Sequence, residues 1–244
     1  VSQNGLTTEI KVKRGDSIRN VAIRLEKRGI IGSAHIFFLA YMSQRSTNPL
    51  FAGNYAVYPG DTMLDLISRI HQGQVLQHSF TIVEGWTWKD ILTQLKHNTR
   101  IEHSSESEIT DFFSKHPFMI RGTLAHLEGV FLPDTYHFSS GVRDIEVLAH
   151  AYTAAQQYLQ EAWPKRSPKA VLKDPYEALI IASLIERESR HIPEFNHISS
   201  VIHNRLRIGM PIQIDAALWY VRDPSRKGRI THLDTRKPSS YNTY

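Results

Sequence analysis

Apolar residues recur along this chain with a helical period in some stretches and in short extended runs in others, which predicts an α+β fold. The clearest helical stretches lie near the start. Ile18, Val21, Ala22 and Leu25 fall on one face of a helix from about Ser17 to Lys27, which Gly29 stops. Met63, Leu66, Ile67 and Ile70 do the same from about Thr62 to His71, where Gly73 ends the pattern. Each helix opens after the same phrase, Val-x-x-Gly-Asp-(Ser/Thr), at Val12 to Ser17 and again at Val57 to Thr62. A strand, a Gly-Asp turn, a Ser/Thr cap and a helix make a compact repeated unit. Ala34 to Ser43 reads as a further helix between the copies, giving β-α-α-β followed by a helix.

A looser echo, Val83-Glu84-Gly85-Trp86-Thr87-Trp88, follows a predicted strand over Ser79 to Val83 and opens a helix through Leu95. It marks the expected passage from a module over 1–78 into a second domain over 79–244. There the pattern predicts helices over Glu106 to His116, Ile145 to Ala162, Asp174 to Arg190 and Pro193 to Arg207, with a turn-rich extended segment from Leu127 to Phe138. Asp174 is a good N-cap with Pro175 behind it, and Gly209 and Pro211 close the last helix. No flexible linker interrupts the chain, so the two parts are expected to pack together.

One residue departs from this patterning. At about 100° per residue, Glu188 falls within roughly 20° of Ile181 and between Leu184 and Ile185, so it continues the core-facing stripe, whereas Glu186 lies about 140° away. A buried carboxyl is costly unless it is paired or neutral. Glu188 is therefore expected to be either an acid bonded to a neighbouring Arg or backbone amide, or a working group held in its protonated form.

Composition narrows the function classes. The 244 residues are 41% hydrophobic, and no window approaches the ~20 apolar residues of a membrane span, so this piece is expected to be soluble with any anchor cut away. The absence of cysteine excludes disulfides, thiolate metal sites and a Cys nucleophile. A formal charge of +5 is spread over Lys11, Arg14, Arg24, Lys27, Arg69, Lys89, Arg121, Arg205, Arg207 and Arg236 without a dense stripe, which argues against nucleic-acid binding and suits a polyanionic partner such as a membrane or cell wall. Phosphate-loop, dinucleotide and nucleophile-elbow motifs are absent. His191, His197 and His203 are six apart and share no helix face, so no metal or other cofactor is expected.

Polar groups gather instead around Glu188, Asn204, Arg205, Gln213, Asp215 and the run Tyr241-Asn242-Thr243-Tyr244. Acids, amides and phenols together suit a glycan cleft. The alternative for Asn204, Gln213, Tyr241 and Asn242 is helix capping and loop bracing.

Two resemblances follow. The β-α-α-β order with Tyr55-Ala56-Val57-Tyr58-Pro59-Gly60-Asp61-Thr62 resembles a LysM-type module, a fold associated with N-acetylglucosamine-containing glycans. Ala182 to Glu188, Val201 to Asp215, Glu128-Gly129-Val130-Phe131-Leu132-Pro133-Asp134-Thr135-Tyr136 and Tyr241 to Tyr244 together resemble the YceG-like endolytic murein transglycosylases, in order from Gly15 to Tyr244. The resemblance implies a membrane-anchored enzyme at the periplasmic face of the bacterial inner membrane. It would cut peptidoglycan internally between N-acetylmuramic acid and N-acetylglucosamine, working beside cell-wall synthesis proteins. The family's catalytic acid is the second of its Glu-x-Glu motif, here Glu188. That family continues past Tyr-Asn-Thr-Tyr and begins with a membrane helix, neither of which this sequence contains.

In a lytic transglycosylase one Glu protonates the glycosidic oxygen and then serves as base while the sugar's own hydroxymethyl oxygen attacks, leaving an anhydromuramyl end. A hydrolase would need a second carboxylate at ~5 to 9.5 Å, for which Asp215 and Glu128 are the candidates. Glu128, Asn204, Gln213, Asp215, Tyr241, Asn242 and Thr243 are expected to bind the glycan. A non-catalytic peptidoglycan-binding or scaffold protein is the alternative.

Overall fold

The computed structural model describes residues 7–13, 15–44, 50–116, 127–222 and 228–244. Arg14 and Arg121, two of the scattered basic residues, lie outside them. The protein is a mixed α and β chain that divides into two compact units. One comprises 1–80, 95–103 and 135–147, the other 81–94, 104–134 and 148–244.

The first unit is organised by the sequence repeat. Strand β1 (Thr8–Val12) pairs antiparallel with β2 (Gly53–Val57) in the register Thr8↔Val57 through Val12↔Gly53. Each strand runs through its Gly-Asp turn into a helix, α1 (Ile18–Lys27) after β1 and α3 (Met63–His71) after β2, with α2 (Ala34–Ser43) between. The two copies lie forty-five positions apart and make the same bonds. Asp16 accepts from the Lys13 amide and from the Arg24 guanidinium, which also donates to the Lys11 carbonyl. Asp61 accepts from the Tyr58 amide and from Arg69, which also donates to the Ala56 carbonyl. Gly15 and Gly60 have φ of 80° and 88°, a region that side-chain-bearing residues rarely enter, which is why glycine occupies this position in both copies.

Ser17 and Thr62 are the N-caps, so the helices begin one residue later than the apolar pattern suggests. Ile10, Val12, Val21, Leu25, Phe37, Tyr55, Leu66, Ile67 and Ile70 form the core between sheet and helices. Tyr55 is fully buried, its hydroxyl donates to the Phe51 carbonyl at 2.8 Å, and burial pushes the phenol up to about 12. The same unit contains the pairing of β3 (Gln77–Ile82) with β5 (Asp134–Ser139), and a short parallel pair, β4 (Ile101–Glu102) with β6 (Val142–Arg143).

The second unit is mainly helical. Its elements include α4 (Trp88–His97), α5 (Glu106–Ser114), α6 (Asp144–Ala162), α7 (Pro175–Glu188), α8 (Phe195–Arg207), α9 (Asp215–Val221) and α10 (His232–Thr235). Phe113, Phe131 and Tyr152 form an aromatic centre to which Trp88 adds a ring stacked 5.4 Å from Phe131. A second core, Ile181, Ile202 and Ile214, joins α7 and α8 to the segment before α9. Among the described residues no helix is long and apolar enough to cross a membrane.

Candidate active site

The α7 stripe opens as it descends the helix. Ile181 is buried, Leu184 and Ile185 are half-buried, and Glu188 is exposed. This corrects the buried position that helical spacing predicts for Glu188. The helix stops at Glu188 rather than Arg190, Ser189 caps it in an extended conformation, and among the described residues nothing buries the last position of the stripe. Its neighbour in the motif, Glu186, is half-buried beside Gly85, while Arg187 donates to the Gly85 carbonyl at 3.2 Å. Among the described residues the Glu188 carboxylate makes no hydrogen bond or ion pair. Glu188 is thus not the bonded structural acid of the first alternative, and the burial from which both alternatives were argued is absent at this position.

A phenol, Tyr244, lies within electrostatic reach of Glu188 and is bonded to a second acid. The Tyr244 hydroxyl donates to Asp215 Oδ1. That bond, partial burial and the charges of Asp215 and Glu188 push the phenol up to about 12, against the opposing charge of Arg205. Tyr244 is therefore a protonated donor over the whole ordinary pH range. Asp215 opens α9, a helix that the apolar pattern does not predict.

The 241–244 segment is tied to the segment before α9. The Gln213 amide donates to the Thr243 carbonyl at 2.7 Å, and Thr243 Oγ1 accepts from the Ile214 amide at 3.0 Å. Gln213 adopts a φ of 55°, unusual for a residue with a side chain and consistent with a backbone held from both sides. Arg205 donates to the Ile212 carbonyl from α8, closing the same turn. Asn242 donates to the Thr235 and Lys237 carbonyls at 2.9 and 2.8 Å and accepts from the Tyr244 amide, so its amide braces the loop. Asn204 is exposed and accepts from Arg207 at 2.7 Å.

Glu128 lies in a second cluster. Its carboxylate accepts the Trp88 amide at 3.1 and 3.2 Å, one of the unpaired donors at the start of α4, and the Tyr220 hydroxyl at 2.8 Å. Burial and the Glu128 carboxylate hold the Tyr220 phenol well above its ordinary value. The Tyr220 and Tyr241 rings meet at 5.2 Å. Together with Trp88 and Leu127 they line a cavity of about 250 Å³, which Glu106, Thr110 and Glu128 complete. Trp88 and Tyr220 are site residues that sequence reasoning did not select, and Tyr244, named in the polar run, was not among the residues expected to bind glycan. The aromatic pairs Trp86/Trp88 and Trp219/Tyr220 are the signal that marks two of them.

Asp215 and Tyr220 lie on one helix, and the 241–244 segment reaches both, Tyr244 at the acid and Tyr241 at the phenol. Acids, phenols and an indole along one surface are groups that bind polyhydroxylated ligands. A model of the YceG-like family matches residues 10–244, and the chain belongs to that family. The endolytic murein transglycosylase of Bacillus subtilis (strain 168) is 25% identical over 261 residues, covering 98% of this chain and 69% of that protein. The protein of the same name from Streptococcus pneumoniae serotype 2 is 23% identical over 266 residues, covering 96% of this chain and 47% of its own length. This chain thus spans about half of the pneumococcal relative. A crystal structure of a YceG-like protein from Listeria monocytogenes shares the fold at a TM-score of 0.54 and 24% identity, over 98% of this chain and 82% of that one.

Proposed function

We propose that this protein is an endolytic lytic transglycosylase that cuts peptidoglycan glycan strands between N-acetylmuramic acid and N-acetylglucosamine, with Glu188 as its single general acid and base. The observation that carries the reading is an exposed acid at a helix end, without a hydrogen-bond partner among the described residues, next to the Tyr244 and Asp215 pair. A structural acid is normally paired. An acid left open on a surface is available to a substrate atom. The names of the relatives in B. subtilis and S. pneumoniae support the same chemistry.

A glycan lying over Glu188 excludes water from the carboxyl and from the bond to be cut. Glu188 donates a proton to the glycosidic oxygen as the C–O bond breaks. The resulting carboxylate takes the proton of the muramic acid C6 hydroxyl, whose oxygen closes on the anomeric carbon to give the 1,6-anhydro end. No second carboxylate is consumed in this sequence, so Asp215 is assigned to holding Tyr244, and the Tyr244 oxygen to accepting from a sugar hydroxyl. Tyr241, Gln213 and Thr243 shape the cleft wall, with Asn204 and Asn242 behind it. The β1-α1-α2-β2 module supplies LysM-like affinity for N-acetylglucosamine. This work takes place on the outer side of the bacterial inner membrane.

Mass spectrometry of sacculi digested with the protein tests the reading. Anhydromuramyl ends that vanish in Glu188→Gln are expected. Reducing ends would make it a hydrolase, and retained sacculus binding without products would make it a binding protein.

A further inference from the structure

The cavity formed by the starts of α4 and α5 with α9 brings Glu106 and Glu128 together with the rings of Trp88, Tyr220 and Tyr241. Glu106 is exposed at the first position of α5, and among the described residues its carboxylate has no hydrogen-bond or ion-pair partner. Glu128 is anchored by the Trp88 amide and the Tyr220 hydroxyl, which fixes its charge at the cavity wall. No Lys, Arg or His is among the described lining residues, so two carboxylates share a space of about 250 Å³ without a cation to offset them. A cation entering the cavity would meet both carboxylates, and opposite charges attract. Aromatic faces within about 6 Å of a cation add further attraction, indole most of all.

The volume is below the roughly 300 to 1,000 Å³ of pockets for drug-sized ligands. It suits the end of one side chain. We propose that this cavity binds the primary ammonium group of a peptide attached to the glycan strand, a reading that rests on peptidoglycan being the substrate. A strand whose amine is still free then fits the protein, and one whose amine has been acylated in a cross-link does not. The site would thus select uncross-linked glycan.

Calorimetry on the whole chain, with a stem tetrapeptide carrying a diamino acid, reads the site without requiring glycan cleavage. Acetylating the side-chain amine is expected to weaken binding at least tenfold, and Glu106→Gln, which alters only an exposed side chain, to weaken the free-amine peptide about fivefold. Equal affinity for the two peptides, or no binding of either, overturns the proposal. Digestion of strands bearing free or acetylated amines separates the two readings: equal cleavage of both rejects the ammonium site and keeps the transglycosylase, whereas amine-dependent peptide binding without any glycan cleavage keeps the site and rejects the enzyme.

Discussion

The Tyr244 hydroxyl donates to the carboxylate of Asp215 across a sequence separation of 29 residues, and this bond holds the phenol beside the exposed Glu188. The phenol stays protonated across the ordinary pH range, so it works as a fixed hydrogen-bond device rather than a titrating one. Tyr244→Phe removes the hydroxyl while keeping the ring. With about 0.5 to 1.5 kcal/mol for a hydrogen bond between the sugar hydroxyl and the phenol oxygen, cleavage should fall roughly 2- to 13-fold. Digestion rates on purified glycan strands, with melting curves of both proteins, check this; an unchanged rate removes Tyr244 from the site.

Glu188 and Glu186 differ in setting rather than in chemistry. Glu188→Gln should lower cleavage by roughly 10² to 10⁴ without loss of stability, because an exposed, unbonded carboxylate holds no fold together. Glu186→Gln is expected to stay within a few-fold of the parent. Equal losses in both variants would contradict the assignment.

The two Gly-Asp turns set an acid limit on stability. The Arg24 and Arg69 guanidiniums hold the Asp16 and Asp61 carboxyls below the usual carboxylate range, chiefly by hydrogen bonding. A carboxyl depressed in the folded state stabilises the protein above its unfolded value of about 3.9, and that contribution disappears as pH falls through the lower folded value. Asp61→Asn should cost about 1 to 3 kcal/mol at pH 7 and much less at pH 2. Asp61 and Arg69 side chains are only 10% and 18% exposed. Arg24 is 39% exposed, so Asp16→Asn should cost less, after discounting for solvent screening. Urea unfolding at both pH values measures the difference.

Gly53 opens β2 with a φ of 152°, and a Cβ there would stand 2.5 Å from Val75 Cγ1. Gly53→Ala combines a conformation foreign to side-chain-bearing residues with overpacking, and should destabilise the protein by about 2 to 4 kcal/mol. Gly60→Ala has open space around the added methyl and should cost about 1 kcal/mol, from backbone conformation alone. Thermal melts of the two variants separate the steric part from the backbone part.

The repeat, the caps and most of the helices are legible in the residues alone, because they rest on interactions within a few positions. Asp16 and Asp61 bond to amides three residues back, Ser17 and Thr62 to amides three residues ahead, and apolar residues three and four apart share a face whatever lies opposite. Short-range pattern did not show α9, whose start at Asp215 has no side-chain cap from the preceding Ile214. Tertiary structure alone decided the site. Periodicity gives Glu188 a direction but cannot tell whether a neighbour stands there, and the end of α7 at Ser189 leaves that side open to solvent. The partners of Glu128, 40 and 92 residues away at Trp88 and Tyr220, and the 29-residue step from Tyr244 to Asp215 depend on how the chain returns on itself. Such meetings arise from the packing of whole helices, which no local pattern of residues encodes.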